Sequence, residues 1–228
     1  MRRPTALLLV AAAATVVLWN VPYGEYLLYP LRIFATWMHE LGHGTAAILA
    51  GRDFLHMEIR PDTSGVTLHS GDSGRVALGF VASAGYMGTS LAGALLLVLG
   101  RSERSSRLVL GALGGLAVLT SALWVRNLFG IFAVPAVGVV LAGVAWKASS
   151  STASLLVNLL GAQSAVNALS DIRALFVIGS SGFDAGGGTD AAALADLFLL
   201  PYWFWAGLWM VLSAALFAAA LLVGRRRA

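Results

Sequence analysis

The sequence predicts an all-α polytopic membrane protein with about six to seven transmembrane helices and a small β-hairpin following its second apolar segment. Three observations predict it. Of 228 residues, 58% are hydrophobic and only 11% are charged, where soluble domains carry about 25% Asp, Glu, Lys and Arg. The mean hydropathy of +0.81 excludes an ordinary soluble globule and a disordered chain alike. The apolar residues also gather into runs near the ~20 residues that an unbroken helical crossing requires. Little length is left over for a soluble domain, so residues 1–228 read as one membrane domain.

The elements follow in order. Thr5 to Trp19 comes after Arg2 and Arg3. Asn20-Val21-Pro22-Tyr23 offers no small-x-small cleavage site, so the run reads as an uncleaved first helix rather than a signal peptide. Leu31 to Ala50 is the second apolar run. In the polar stretch behind it, Leu55 to Ile59 and Val66 to His69 alternate in strand fashion around the turn-rich Pro61-Asp62-Thr63-Ser64-Gly65, which predicts a hairpin. Further spans are expected over Val76 to Leu99, Leu108 to Val125, Leu128 to Trp146 and Ala153 to Ile178. Gly179 to Gly188 reads as a loop. It leads into a short helix, Asp190 to Leu200, and a last span from Tyr202 to Val223, whose Tyr202, Trp203 and Trp205 suit the headgroup level. Small-residue patches such as Gly111-Ala-Leu-Gly114 suit close helix packing.

Charge and cysteine content narrow the chemistry. Fifteen basic against 11 acidic residues give +4, but the arginines sit singly or in short runs. That pattern fits anchoring to anionic lipid and lacks the clustered basic face with aromatics that nucleic acid needs. With no Cys, disulfides, thiolate metal sites and thiol nucleophiles are excluded.

Two carboxylates, Glu40 and Asp171, fall well inside long apolar runs. An ionised carboxylate at bilayer depth costs at least about 2.5 kcal/mol, which makes both functional candidates. Glu40 belongs to His39-Glu40-Leu41-Gly42-His43, the H-E-x-x-H pattern. On a helix, His39 and His43 project from one face a turn apart and can grip a single ion. Glu40 lies about 100° around from His39, placed to take a proton from water activated by the metal. The bland reading is a polar helix face bonded to its neighbours, which is a costly use of three titratable groups in one span.

A catalytic zinc takes three protein ligands and keeps a fourth position open. Gln163, Asn167 and Asp171 form a polar stripe with a spacing of four, and Asp171 lies at a depth comparable with the histidines. Asp171 is therefore the expected third ligand, with pairing to Arg173 or Arg126 as its structural alternative and Asp190 as the other candidate ligand. Asn167 would orient the carboxylate or hydrogen-bond a substrate backbone. His56 and His69 read as surface or turn histidines. The hairpin edge offers a place for an extended substrate to add a strand, or is a plain polar connection. Zinc suits two imidazoles and a carboxylate, and iron or cobalt would also fit.

These residues resemble the site-2-protease-type intramembrane zinc metalloproteases, in the compact branch without a PDZ domain. The likeness rests on Trp37-Met38-His39-Glu40-Leu41-Gly42-His43-Gly44, the Pro61 to Thr67 hairpin, Ser83-Ala-Gly-Tyr-Met-Gly88, Arg126-Asn127-Leu128-Phe129-Gly130, Asp171 and Thr189-Asp190-Ala191 before a Pro-x-Trp segment. It covers most of the chain from about residue 30 onward. The resemblance implies cleavage of membrane-embedded protein or peptide substrates in a multi-pass cell-membrane enzyme, with His39, His43 and a later Asp holding zinc and Glu40 as general base. The family's Asp lies in an Asp-Gly pair, and this chain has none. Two other function classes share the His pair: a metal-binding or transport protein, and a non-catalytic membrane scaffold.

Overall fold

A backbone in an apolar medium must satisfy its own N–H and C=O groups, and helices do so within one segment. The computed structural model describes residues 10, 13–15, 17, 18, 20–71, 74–180 and 189–226, and of residues 170, 171, 173–180 and 224–226 the backbone alone. Helix α1 (Gly24–Leu49) is followed by strands β1 (Asp53–Ile59) and β2 (Gly65–Ser70). Then come α2 (Arg75–Leu99), α3 (Glu103–Trp124), α4 (Leu128–Lys147), α5 (Ser150–Ser180), the short α6 (Asp190–Phe198) and α7 (Tyr202–Arg226). The expected first helix and the Gly-rich loop lie mostly outside the described residues.

Among the described residues four helices are long and apolar enough to cross a membrane: α2, α3, α4 and α7 over Tyr202–Val223. This is fewer than the expected six to seven. Helices α1 and α5, with 26 and 31 residues, have the length. Their polar groups, Arg32, His39, Glu40 and His43 in one and Asn158, Gln163 and Asn167 in the other, lower their hydropathy. Outward-facing Leu108, Leu119, Leu128, Phe132, Val139 and Val140 are each more than half exposed. An apolar outer surface of this extent suits a membrane protein.

Helix α1 packs on α2, α2 also meets α5 and α7, and α3 lies along α4. The last pair closes at Gly114, where a Cβ would stand 2.6 Å from the Gly138 carbonyl oxygen. That is the close approach the small-residue patch foretold. The core joins Phe34 and Trp37 of α1 to Met57 and Ile59 of β1, Leu110 of α3 and Leu160 of α5. Trp37 Nε1 donates to Thr120 Oγ1 at 3.0 Å. Between helices in lipid the hydrophobic effect does not operate, so close packing and buried bonds of this kind hold the bundle.

The hairpin forms where expected, β1 antiparallel to β2 with a register shift between Phe54 and His56. Its turn closes through Ser64, whose N–H and Oγ donate to Asp62 Oδ1 at 2.9 and 2.7 Å. These bonds hold the Asp62 carboxyl below its ordinary pKa. Helix α1 grips the turn through Tyr29 Oη to the Pro61 carbonyl (2.6 Å), Thr36 Oγ1 to the Thr63 carbonyl (2.7 Å) and Arg32 to Thr63 Oγ1 (2.8 Å).

The outer edge of β1 is covered by the break between α3 and α4. Val125 bridges Met57 in parallel, and the Arg126 N–H donates to the Met57 carbonyl at 3.1 Å. Asn127 accepts from the Ile59 N–H at 3.0 Å and donates to the Ile59 carbonyl at 2.6 Å, so its amide imitates a strand residue. Asn127→Ala leaves both groups of Ile59 without that partner beside a fully buried side chain. We expect a loss of about 1–3 kcal/mol, read as a lower thermal midpoint in detergent and faster amide exchange at Ile59. An unchanged midpoint would show that the clamp contributes nothing.

Candidate metal centre

The centre is built where α1, α2 and α6 meet. Helical spacing brings the His39 and His43 Nε2 atoms within 3.0 Å of each other. The Asp190 Oδ2 lies 3.3 Å from both. Thr189 caps α6, its side chain accepting from the Ala192 N–H at 3.2 Å. Ala191 and Leu194 bury against Tyr86, Ile172 and Trp209. Capping and packing together aim the first-turn carboxylate at the histidines, and a carboxylate is also favoured at a helix N-terminus.

The donor set fits a cation. His43 Nδ1 lies 2.8 Å from the Val81 carbonyl. A carbonyl only accepts, so Nδ1 carries the hydrogen and a neutral ring leaves the lone pair on Nε2. That lone pair faces a second imidazole nitrogen and a carboxylate oxygen, an arrangement that needs a proton or a metal ion among the three and that suits a cation. Metal–ligand bonds of about 2.0–2.1 Å in a tetrahedron give ligand–ligand edges of about 3.3 Å, close to the separations found. His39, His43 and Asp190 offer one ligand atom each. The Val81 contact also fixes the His43 ring in the way backbone carbonyls orient the imidazoles of metal sites.

Neighbours fix the remaining groups. The His39 ring meets Tyr86 edge-on at 4.8 Å, and Tyr86 stacks on Trp209 at 4.9 Å. Glu40 is 5% exposed. Thr67 Oγ1 donates to its Oε2 at 2.8 Å and to its backbone carbonyl at 2.9 Å. The hairpin comes this close because residue 65 is glycine: a Cβ there would lie 2.6 Å from Glu40 Oε1. On the other side, a Cβ on Gly85 would overlap Nε2 of both histidines and sit 2.6 Å from His39 Cε1.

A cavity of about 880 Å³ opens onto His39, Glu40, His43 and Asp190, within the usual range for ligand sites of about 300–1,000 Å³. Asn167 lines it and is buried, its Oδ1 accepting from Gln163 Nε2 at 2.7 Å, so two members of the predicted stripe do act together. The Asp171 side chain, expected as third ligand, lies outside the described residues. Asp190 was the alternative, and it is the carboxylate found beside both histidines. Its sequence signal was Thr189-Asp190, a cap followed by an acidic first turn. His69, expected at a surface or turn, is only partly exposed and lines the cavity. Gly65, Thr67 and Gly85 were not anticipated as site residues.

Neither curated proteins nor solved structures give a match. A family model described as Peptidase M50B-like matches residues 8–220, which takes in both strands and every residue of the cluster. The chain therefore belongs to the Peptidase M50B-like family, of the site-2-protease type its sequence resembles.

Proposed function

We propose that this protein is a multi-pass intramembrane zinc metalloprotease of the cell membrane that hydrolyses peptide bonds in membrane-embedded substrates. The observation that carries the reading is the convergence of His39, His43 and Asp190 next to a buried glutamate, in a chain of a peptidase family. Those three residues would hold the metal. When bound, a divalent ion supplies Lewis acidity, lowering the pKa of water toward about 7 and polarising a carbonyl.

The protein's own groups do the rest. Glu40, held by Thr67, takes the proton of the attacking water as its oxygen adds to the scissile carbon. It returns that proton to the leaving amine as the carbon–nitrogen bond breaks. A transmembrane helix has every backbone group bonded, so the substrate must unwind before its carbonyl can react. Among the described residues β2 pairs with β1 alone, and Gly65, Val66 and Thr67 line the cavity. An unwound segment adds to that edge as a strand, and Asn167, which lines the same cavity, hydrogen-bonds its backbone.

Glu40→Gln tests the reading. The variant keeps its zinc by elemental analysis and cleaves transmembrane peptides in proteoliposomes about 10²–10⁴-fold more slowly. Full cleavage with zinc retained would leave a metal-binding or transport role. A wild type that takes up no zinc would leave the scaffold.

A further inference from the structure

Successive side chains of a strand alternate faces, so Thr67 and His69 of β2 share one. Thr67 commits its hydroxyl to Glu40. His69 lines the same cavity as Glu40, His39 and His43, and its Nδ1 accepts from Arg52 Nε at 3.1 Å. A guanidinium only donates. Nδ1 therefore holds the lone pair, and the hydrogen of the neutral ring is on Nε2. Among the described residues no hydrogen bond is recorded at Nε2.

Resting on the hydrolytic reading above, we infer that His69 is a further catalytic residue: Arg52 fixes its tautomer, and Nε2–H donates to the substrate carbonyl oxygen as water adds to the carbon. In that step the carbonyl π pair moves onto oxygen and the new negative charge has to be met. Glu40 and Asp190 are acceptors and repel it. A neutral imidazole set as a donor stabilises it without giving up a proton, so Glu40 alone carries the transferred proton. Burial, and after it the Arg52 guanidinium, hold the His69 pKa below the ordinary imidazole value, in keeping with a neutral donor. One strand then serves both halves of the reaction, Thr67 supporting the base and His69 the oxyanion.

Removing one oxyanion donor costs about 10²–10³ in kcat. The test compares zinc-loaded wild type with His69→Ala, His69→Gln and Arg52→Leu in detergent. It measures zinc content, kcat and KM on a transmembrane peptide, the affinity of a peptide phosphonamidate (a tetrahedral anion resembling the addition step), and the imidazole tautomer by ¹⁵N NMR. The expected His69→Ala protein keeps its zinc and its KM, loses about 10²–10³ in kcat, and loses phosphonamidate affinity in parallel. His69→Gln, which retains an N–H, recovers part of both, and Arg52→Leu mixes the two tautomers. Loss of zinc in His69→Ala, a change confined to KM, or an unchanged kcat would overturn the inference. Failure of the hydrolytic reading shows elsewhere, as a wild type without zinc or a fully active Glu40→Gln, and takes this role with it.

Discussion

We expect Asp190→Ala to lose zinc and with it all measurable cleavage, and Asp171→Ala to keep both. A catalytic zinc takes three protein ligands and leaves one position for water, and His39, His43 and Asp190 already bring three ligand atoms to within 3.3 Å of one another. Removing a residue that merely orients a ligand costs about 10–100-fold in metal affinity, and removing a ligand outright costs more. The two imidazoles left behind cannot hold the ion against dilution and chelation during purification. Elemental analysis of the two variants beside wild type decides the matter, with about one zinc per chain expected in wild type and in Asp171→Ala. Zinc retained by Asp190→Ala and lost from Asp171→Ala would move the third ligand onto α5. Asp190→Asn sharpens the comparison, because it keeps shape and capping while removing the charge.

What the sequence made legible was local. A spacing of four on one helix brings His39 and His43 together whatever else the chain does, and Glu40 follows from the same turn. The hairpin was equally local, with alternation on either side of Pro61 to Gly65. Asp190 depends instead on tertiary packing. It reaches the histidines because Ala191 and Leu194 dock α6 against Tyr86 and Trp209, and no spacing in the chain reveals that. Membrane depth and the polar stripe shared with Gln163 and Asn167 point to Asp171, whose side chain lies outside the described residues. A helix cap that delivers its first-turn side chain into a protein-lined cavity is another shelter for a carboxylate. For His69 the period of β2 puts it on one face with Thr67, but only docking onto α1 decides that this face lines the cavity. Four spans stand out among the described residues where six to seven were expected: the expected first helix lies mostly outside those residues, and the polar stripes of α1 and α5 separate these two helices from α2, α3, α4 and α7.

We expect Gly85→Ala to abolish metal binding and activity without replacing any of the three residues that would hold the metal. A methyl at this position falls onto Nε2 of both histidines and 2.6 Å from His39 Cε1, so the rings must swing away or the helices must part. Parting is resisted, since α1 and α2 are in contact at Gly42, where a Cβ would already stand 2.5 Å from the Ala84 carbonyl oxygen. Overpacking of this kind costs about 1–3 kcal/mol in stability, which a folded bundle can absorb. The site cannot, because a displacement of about 1 Å is worth about 10²-fold in rate and here it acts on two ligands at once. Gly88→Ala, on the same helix, is the control: its Cβ finds only Gly42 Cα at 3.5 Å, an ordinary contact. We expect Gly88→Ala to keep its zinc and its cleavage rate, while Gly85→Ala elutes as the same species on size exclusion with neither. Zinc retained in Gly85→Ala would mean that the histidines do not hold the metal through the Nε2 atoms that face α2, and the geometry assigned to the centre would have to be abandoned.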